Sequence, residues 1–398
     1  MELVLNDEQR LLKESAEKLV ARLGGPDAHR ALRKTETGFD RARQKAVADA
    51  GWISMMLPER DGGLGLGLYE LALVLEQVGR GLMTEPIAAA AICAYAIGAG
   101  RAATGTADIL AGLITGDKII VPALQDPAAP EAMREKITAM HYHYGYELTG
   151  VRTSVPLASA ADAYLVDAST SDGSIVIFVP GDLFGVGATA IKTVDGGSHG
   201  TLILSEATIM ADDRLVAGTK QGETLTADLY DRLLIAASAE MLGVMEQALD
   251  LAISYMKTRE QFGRPIGSFQ ALQHRAVNDH TEIELTRSLL YQVCGAYDAG
   301  HSNRSLAAAV NARASDAVLG VTKSVIQMHG AIGFTDEYDA GLYLRRAMTL
   351  AAQYGNSSFQ RKRYAALAES EEAAAEEPAR RRKRPKRKKS IFADQKSF

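Results

Sequence analysis

Two cysteines and a single tryptophan are all that this 398-residue chain holds of those residue types. Cys93 and Cys294 sit in separate apolar, helix-like stretches, without C-x-x-C spacing and without a neighbouring histidine. That argues against metal or thiol redox chemistry, and both read as buried packing residues in a reducing cytoplasm. A bilayer-spanning run is also missing: the longest apolar stretch, Ile87 to Ile97, is alanine-rich and about half the length a span requires, which fits a buried helix. The start, Met1 to Glu8, is acidic and lacks the basic segment and apolar core of a secretion signal. No glycine-rich phosphate loop ending in Gly-Lys-Ser/Thr occurs, and no dinucleotide-fold fingerprint. Proline is nearly absent from one long region, since Pro265 alone lies between Ala211 and Glu377.

What is present describes an ordinary globular protein of two or three domains, with 47% hydrophobic and 23% charged residues. The net charge of −5 hides an asymmetry. Residues 380–398 hold ten Lys/Arg against one acid, Asp394, a net of +9 that leaves −14 on the rest. An acidic body excludes a nucleic-acid-binding surface. The basic end, preceded by the acidic, alanine-rich stretch Glu369 to Glu377, reads as a charged disordered tail.

Three compositional regimes follow one another. Asn6 and Gln9 form a capping-box start, Leu11, Leu12, Ala16 and Leu19 recur at near-helical spacing, and Gly24-Gly25-Pro26 ends the helix. Further helical patterns at Phe39–Ala50, Leu68–Val78, Glu85–Ile97 and Thr106–Ile114 make residues 1–116 an all-α domain. Residues 117–212 carry short apolar runs, Ile119–Leu124, Tyr164–Val166, Ser174–Val179 and Gly200–Leu204, broken by Pro, Gly, Asp and Ser, which predicts a β domain. Residues 213–368 hold three long periodic stretches, Thr224–Arg259, Phe269–Ala299 and Arg304–Gly330, then shorter helices at 340–353 and 357–367. Such lengths predict an antiparallel helix bundle.

The densest motif is Arg259-Glu260-Gln261-Phe262-Gly263-Arg264-Pro265-Ile266-Gly267-Ser268-Phe269-Gln270, at the joint between two long helices. A second, Gln327-Met328-His329-Gly330-Ala331-Ile332-Gly333-Phe334, falls where another long helix ends in glycines. The first resembles the R-x-Q-F-G-x-P-I-x-x-F-Q motif of the acyl-CoA dehydrogenase superfamily, and the second its Q-x-x-G-G-x-G-[FY] turn. Gly51-Trp52 and Leu57 to Gly65 resemble an N-terminal glycine stretch of the same family. The resemblance implies an α+β multidomain fold: an N-terminal helical domain, a middle β-barrel-like domain and a C-terminal long four-helix bundle. It also implies FAD at a subunit interface, with Arg259 on the pyrophosphate, Phe262 on the adenine side and Gln270 on the ribityl and phosphate region. Gln261 and Gly263 belong to the same loop. Gln327, Gly330 and Gly333 would lie against a neighbouring subunit's FAD. A guanidinium fork suits phosphate oxygens, and glycine lets backbone approach a ligand closely. His329 reads as a structural helix-end histidine.

The chain departs from the family where the chemistry is done. Dehydrogenation needs a carboxylate base facing the acyl α-carbon opposite the flavin. Alignment of the motif puts Tyr354 where most members carry that glutamate and Leu233 where a minority do. Asp231, read as an exposed acid at a helix start, would need a shift in register to replace it. The family's flavin-flanking T-E-P and W-x-T are replaced by Gln125-Asp126-Pro127 and Ser154-Val155-Pro156. The resemblance is to the small, base-free subunit of hetero-oligomeric bacterial members. It implies an acyl-CoA substrate, bulky or unusual (steroid-derived or dicarboxylic), a second acyl-CoA dehydrogenase-like subunit, and an electron-transfer flavoprotein or similar acceptor. The alternatives are a self-sufficient dehydrogenase with a displaced base, a flavin monooxygenase on the same fold, and a flavin-free structural or regulatory partner.

Overall fold

The structure is a computed structural model that describes residues 5–100, 105–130, 134–210 and 214–383, with side chains described as far as Glu372. The chain begins with six helices: α1 (Asp7–Leu23), α2 (Pro26–Leu32), α3 (Arg41–Asp49), α4 (Leu68–Arg80), α5 (Ile87–Ala99) and α6 (Ala107–Thr115). The Asn6–Gln9 capping box closes as the sequence requires, with Asn6 Oδ1 accepting from the Gln9 N–H at 2.8 Å. Gly24 caps α1, but Pro26 opens α2 at once, as a proline at a first helical position can. The alanine-rich α5 is buried over most of its circumference, including Cys93, so its apolar length is spent on the core. Among the described residues no helix is long and apolar enough to cross a membrane.

Nine strands follow in one mixed sheet: β1 (Ile120–Ala123), β2 (Thr138–Tyr142), β3 (Gly145–Pro156), β4 (Ala163–Thr170), β5 (Gly173–Pro180), β6 (Val186–Ala188), β7 (Ile191–Lys192), β8 (Ser198–Met210) and β9 (Leu215–Ala217). The sheet runs β6-β8-β3-β2-β4-β5-β9, with β1 parallel to β4 and β7 on β8. This corrects the barrel-like expectation, because among the described residues no pairing joins β6 to β9. Only the Thr138↔Ser169 bridge joins the β2-β3-β8 half to the β1-β4-β5 half among those residues. The halves splay around a core of Val121, Tyr164, Val166, Ile177 and Leu202 instead of closing on each other. The other face of β1, β4 and β5, through Ile120, Leu165 and Phe178, joins the helical core. That double burial explains why those strands read as unbroken apolar runs.

The third region is built on α7 (Gly222–Thr258), 37 residues long, or about 55 Å at the α-helical rise. A short hairpin, β10 (Glu260–Gln261) and β11 (Arg264–Pro265), leads into α8 (Gln270–Asp298), then α9 (Arg304–His329), α10 (Ala340–Gln353) and α11 (Ser357–Lys383). The boundary expected at residue 368 falls inside α11, which corrects the disordered-tail reading over 369–383. The Ala, Glu and Arg of that segment are strong helix formers, and Glu371 accepts the Ser305 N–H at the start of α9. Residues 384–398 of the expected tail lie outside the described residues.

Helices α4 and α7 cross at a pair of glycines. A Cβ on Gly243 would sit 1.8 Å from the Glu76 carbonyl oxygen, and one on Gly79 would sit 2.1 Å from that of Glu240. Backbone meets backbone there, so no side-chain rotation relieves an added methyl. Gly243→Ala is expected to lower stability by about 1–3 kcal/mol, read as a fall in the thermal unfolding midpoint. An unchanged midpoint would contradict this crossing geometry.

Candidate functional site

A cavity of about 370 Å³ opens where the sheet meets the bundle. Its walls are the end of β1 and the following loop with Gln125, the bulged end of β3 with Ser154, Tyr230 and Leu233 of α7, and Tyr354 after α10. The two stretches that replace the family's flavin-flanking sequences therefore do come together. The pairing of β3 with β8 shifts register between Arg152 and Val155, and Ser154 adopts φ +56°, so the strand turns its edge toward the cavity. Buried Arg152 holds the opposite rim: it donates to the Ala123 carbonyl at 3.2 Å, Gln125 Oε1 at 2.9 Å and Asp167 Oδ1 at 3.0 Å. Nothing in the sequence pattern marked Arg152 for this role, since an arginine in a strand ordinarily faces solvent.

A second, smaller cavity of about 70 Å³ lies beyond the first and shares Pro156, Leu233, Gln353 and Tyr354 with it. Tyr354 and Leu233, the residues at the two positions expected for a base, thus stand together at the junction. Leu233 is buried and apolar. Burial pushes the Tyr354 hydroxyl well above its ordinary value, and Gln353 Nε2 donates to it at 3.1 Å. The edge of the Tyr230 ring meets Tyr354 with centroids 5.9 Å apart. A phenol held neutral in this way accepts no proton at neutral pH.

Asp231 is not the exposed helix-start acid expected from the sequence; it is 1% exposed. Two residues along a helix turn its side chain to the face opposite Leu233. There Arg363 of α11 donates to Asp231 Oδ1 and, at 2.9 Å, to Asp126 Oδ2, while Arg304 Nε reaches Asp231 Oδ2 at 3.2 Å and the Tyr297 hydroxyl lies at 3.3 Å. Both carboxyl oxygens are taken. Glu240, two helical turns after Leu233, is likewise engaged by Arg346 at 2.8 Å, whose Nη1 also holds Asp195 at 2.8 Å. Burial raises the Asp195 carboxyl, but the Arg346 charge and the hydrogen bonds from Thr193, Arg346 and Gly197 outweigh it and bring it down to about 2.

The two glycine-bearing motifs meet at the other end of the bundle. Tyr255, one turn before the end of α7, packs on His329 at 4.6 Å, and Ser324 of α9 donates to Asp279 of α8 at 2.6 Å. Arg259, Gln261, Phe262, Gly263, Gln270, Gln327 and Gly330 are all exposed, and Gly333 is buried. The turn between β10 and β11 places both Phe262 and Gly263 at positive φ, +56° and +78°, which leaves the Phe262 ring 91% exposed. Gly330 adopts φ +67° with nothing within 4 Å of where its Cβ would be, whereas a Cβ on Gly333 would meet His329 and the Ile326 carbonyl. His329 Nδ1 lies 2.7 Å from the Val325 carbonyl, between the Tyr255 and Tyr338 rings, and burial lowers its pKa. Leu233 and Arg259 are 26 residues apart on one continuous helix, about 39 Å by helical rise. Within one chain, therefore, the motif end and the cavity end do not converge.

Helices, splayed sheet and long bundle in that order define an acyl-CoA dehydrogenase fold. Residues 6–117 match the acyl-CoA dehydrogenase N-terminal domain and residues 229–368 the acyl-CoA dehydrogenase C-terminal domain. The chain belongs to the acyl-CoA dehydrogenase family, oxidoreductases acting on acyl-CoA. It is 32% identical over 351 residues to acyl-CoA dehydrogenase FadE27 of Mycobacterium tuberculosis, covering 85% of this chain and 91% of that one. A chain of the ChsE4-ChsE5 complex from Mycobacterium tuberculosis superposes with a TM-score of 0.82 at 29% identity, over 91% of this chain and 97% of that one. A variant of the Tcur3481-Tcur3483 steroid ACAD gives 0.83 at 29% identity, over 92% and 99%.

Two outcomes test the buried charges. Arg363→Met strands Asp126 in the interior, leaves Asp231 with Arg304 as its one remaining cation, and is expected to cost about 3–5 kcal/mol in denaturant unfolding; a loss below about 1 kcal/mol would refute the network. For Asp195 the folded pKa of about 2 lies below its ordinary 3.8. The stability it contributes is present above pH 4 and is lost as pH falls toward 2. Asp195→Asn should flatten the acid side of the stability profile over that interval.

Proposed function

We propose that this chain is the base-free subunit of an FAD-dependent, hetero-oligomeric acyl-CoA dehydrogenase, in which a second acyl-CoA dehydrogenase-like chain supplies the catalytic carboxylate. One observation carries the reading: among the described residues, the four that both cavities share, Pro156, Leu233, Gln353 and Tyr354, include no carboxylate. Asp231 and Glu240 are bound to arginines, and Asp126 and Glu135 on the larger cavity are bound to Arg363 and Thr153.

FAD is the cofactor, and the residues present fit it when two chains share it. Arg259, Gln270 and Gln327 offer a guanidinium and two amides in the open, the donor set that diphosphate oxygens take. The backbone at Gly330 stands open at φ +67° with nothing within 4 Å of its Cβ position, and the exposed Phe262 ring offers an apolar face to adenine. An extended dinucleotide does not bridge the 39 Å or so from these residues to the chain's own cavity, so this end serves a site completed by the partner. FAD held there would supply the acceptor for the β-hydride of the acyl group. This chain's contribution is to hold the diphosphate through Arg259, to place backbone against the cofactor at Gly330 and Gly333, and to exclude water with Phe262. Gln261 and Gly263 shape the hairpin that presents these groups. Removal of the α-proton falls to the partner's carboxylate.

The substrate is an acyl-CoA with a bulky acyl group such as a steroid-derived one, a reading supported by the relation to a steroid ACAD and to a chain from a two-component complex. The 70 Å³ cavity beyond Tyr354 is too small for a ring system, which assigns the bulky group to the partner's side. Electrons leave to an electron-transfer flavoprotein or a similar acceptor, and the enzyme works in the cytoplasm.

The visible spectrum of the purified chain, alone and with a co-expressed second dehydrogenase-like chain, tests this directly under anaerobic addition of acyl-CoA. Bleaching only in the mixed assembly is the expected result, and bleaching by the isolated chain would sink the assignment. Arg259→Ala in the mixed assembly should weaken FAD binding about 10- to 100-fold without altering its sedimentation. Unchanged flavin content would remove Arg259 from the cofactor site.

A further inference from the structure

The smaller cavity contains polar chemistry that neither the fold nor the proposed reaction uses. Glu85, on the turn entering α5, is 4% exposed and lines this cavity, yet neither carboxyl oxygen has a hydrogen-bond partner. Thr349 of α10, 7% exposed, lines the same cavity, and its hydroxyl is also without a partner. Arg43 comes no closer to Glu85 than 3.8 Å, and its Nη1 has no hydrogen bond of its own. Burial raises the Glu85 pKa, while Arg43 and the N–H groups of Glu85 and Thr84 pull it down without completing a hydrogen bond.

An unpaired buried polar group is costly, and two of them around one space are rare enough to need an occupant. The rest of the lining mixes apolar groups, among them Leu75, Val78, Ile87 and Ala237, with polar ones that have partners of their own, such as Thr84, Thr193, Ser198, Glu240, Arg346 and Gln353. The space accepts a small amphiphilic group: apolar along its length, with a polar tip able both to donate to a carboxyl oxygen and to accept from a hydroxyl. An alcohol does both. The volume, about 70 Å³, is several times the roughly 10–15 Å³ that one water needs, which admits the hydroxyl-bearing end of a short chain.

We infer that the cavity beyond Tyr354 is a recognition site for the hydroxyl-bearing end of a short acyl thioester, with Glu85 accepting from the hydroxyl and Thr349 donating to it. The inference rests on the proposed function only in taking an acyl-CoA as the molecule that enters past Leu233 and Tyr354. With Leu233 and Tyr354 at the junction and Glu85 engaged by the hydroxyl at the far end, the ligand is held and not oxidised. The site distinguishes acyl ends that the partner's reaction does not touch. The Glu240–Arg346–Asp195 group on the same wall is internally paired and plays no part in the selection.

The test is calorimetric titration of the full chain with butyryl-CoA and 4-hydroxybutyryl-CoA, which needs no turnover. The hydroxy ester is expected to bind roughly 10- to 100-fold more tightly, since the unsubstituted chain leaves both polar groups unpaired. Glu85→Leu should abolish that preference by weakening only the hydroxy ester, and Thr349→Val should reduce it, which keeps the question answerable if one variant fails to fold. Equal affinities for the native chain, as expected if the cavity holds only water, would overturn the subsite and leave the functional reading standing. A preference that survives in Glu85→Leu would overturn Glu85 as its origin. Failure of both esters to bind would overturn the acyl-CoA reading of this cavity together with the subsite.

Discussion

Arg363 is the residue on which the arrangement turns. Its guanidinium is 3% exposed and lies between Asp126, on the loop after β1, and Asp231, near the start of the buried part of α7. Three elements far apart in sequence are fixed there by one cation, and Arg304 from α9 adds a fourth. Desolvating three or four charges has a large cost, recovered only when the geometry satisfies each of them. Once it does, the sheet edge that carries Gln125 has a single distance to Tyr230 and Leu233, and the larger cavity has its width. The same pairing takes Asp231 out of proton chemistry.

A helix as long as α7 has a functional consequence of its own. It carries cavity residues at one end and leads into the Arg259 hairpin at the other, and its rigidity keeps the two ends apart. Each half-site is well formed on its side: Ser154 is turned inward by a bulge, and Phe262 is pushed outward by a two-residue turn at positive φ. The Phe262 ring stands 91% in solvent on a turn at positive φ. In the proposed assembly a partner chain completes each end.

Much of the fold was legible, for a reason that also accounts for what was not. The long helices follow from sustained period and the near absence of proline, and α7, α8 and α9 begin and end within two residues of the expected limits. Strands β1, β4 and β5 are buried on both faces and announce themselves as apolar runs. Strands β2 and β3 have one polar or exposed face, with sequences such as Thr138-Ala139-Met140-His141-Tyr142, and the eye finds no run there. The sheet's open form was likewise invisible, because it depends on a single bridge between Thr138 and Ser169. Helix α11 outlasts the expected boundary because charge composition was read as disorder where helix propensity and the Glu371 contact prevail.

The sequence by itself determined the family, the order of the three regions, the two glycine-bearing motifs and the absence of a glutamate at Tyr354 and Leu233, because each of these is a matter of residue identity at a spacing the chain cannot alter. It did not determine which acids are free. Asp231 looked available and is bound; Glu85, marked only as the first residue of a helical pattern, is buried facing a cavity with its oxygens unpaired. A carboxylate's chemistry is set by the cations and donors within a few ångströms of it, and for Asp231 those come from α9 and α11, 73 and 132 residues away along the chain. Only the tertiary structure brings them there or leaves them out.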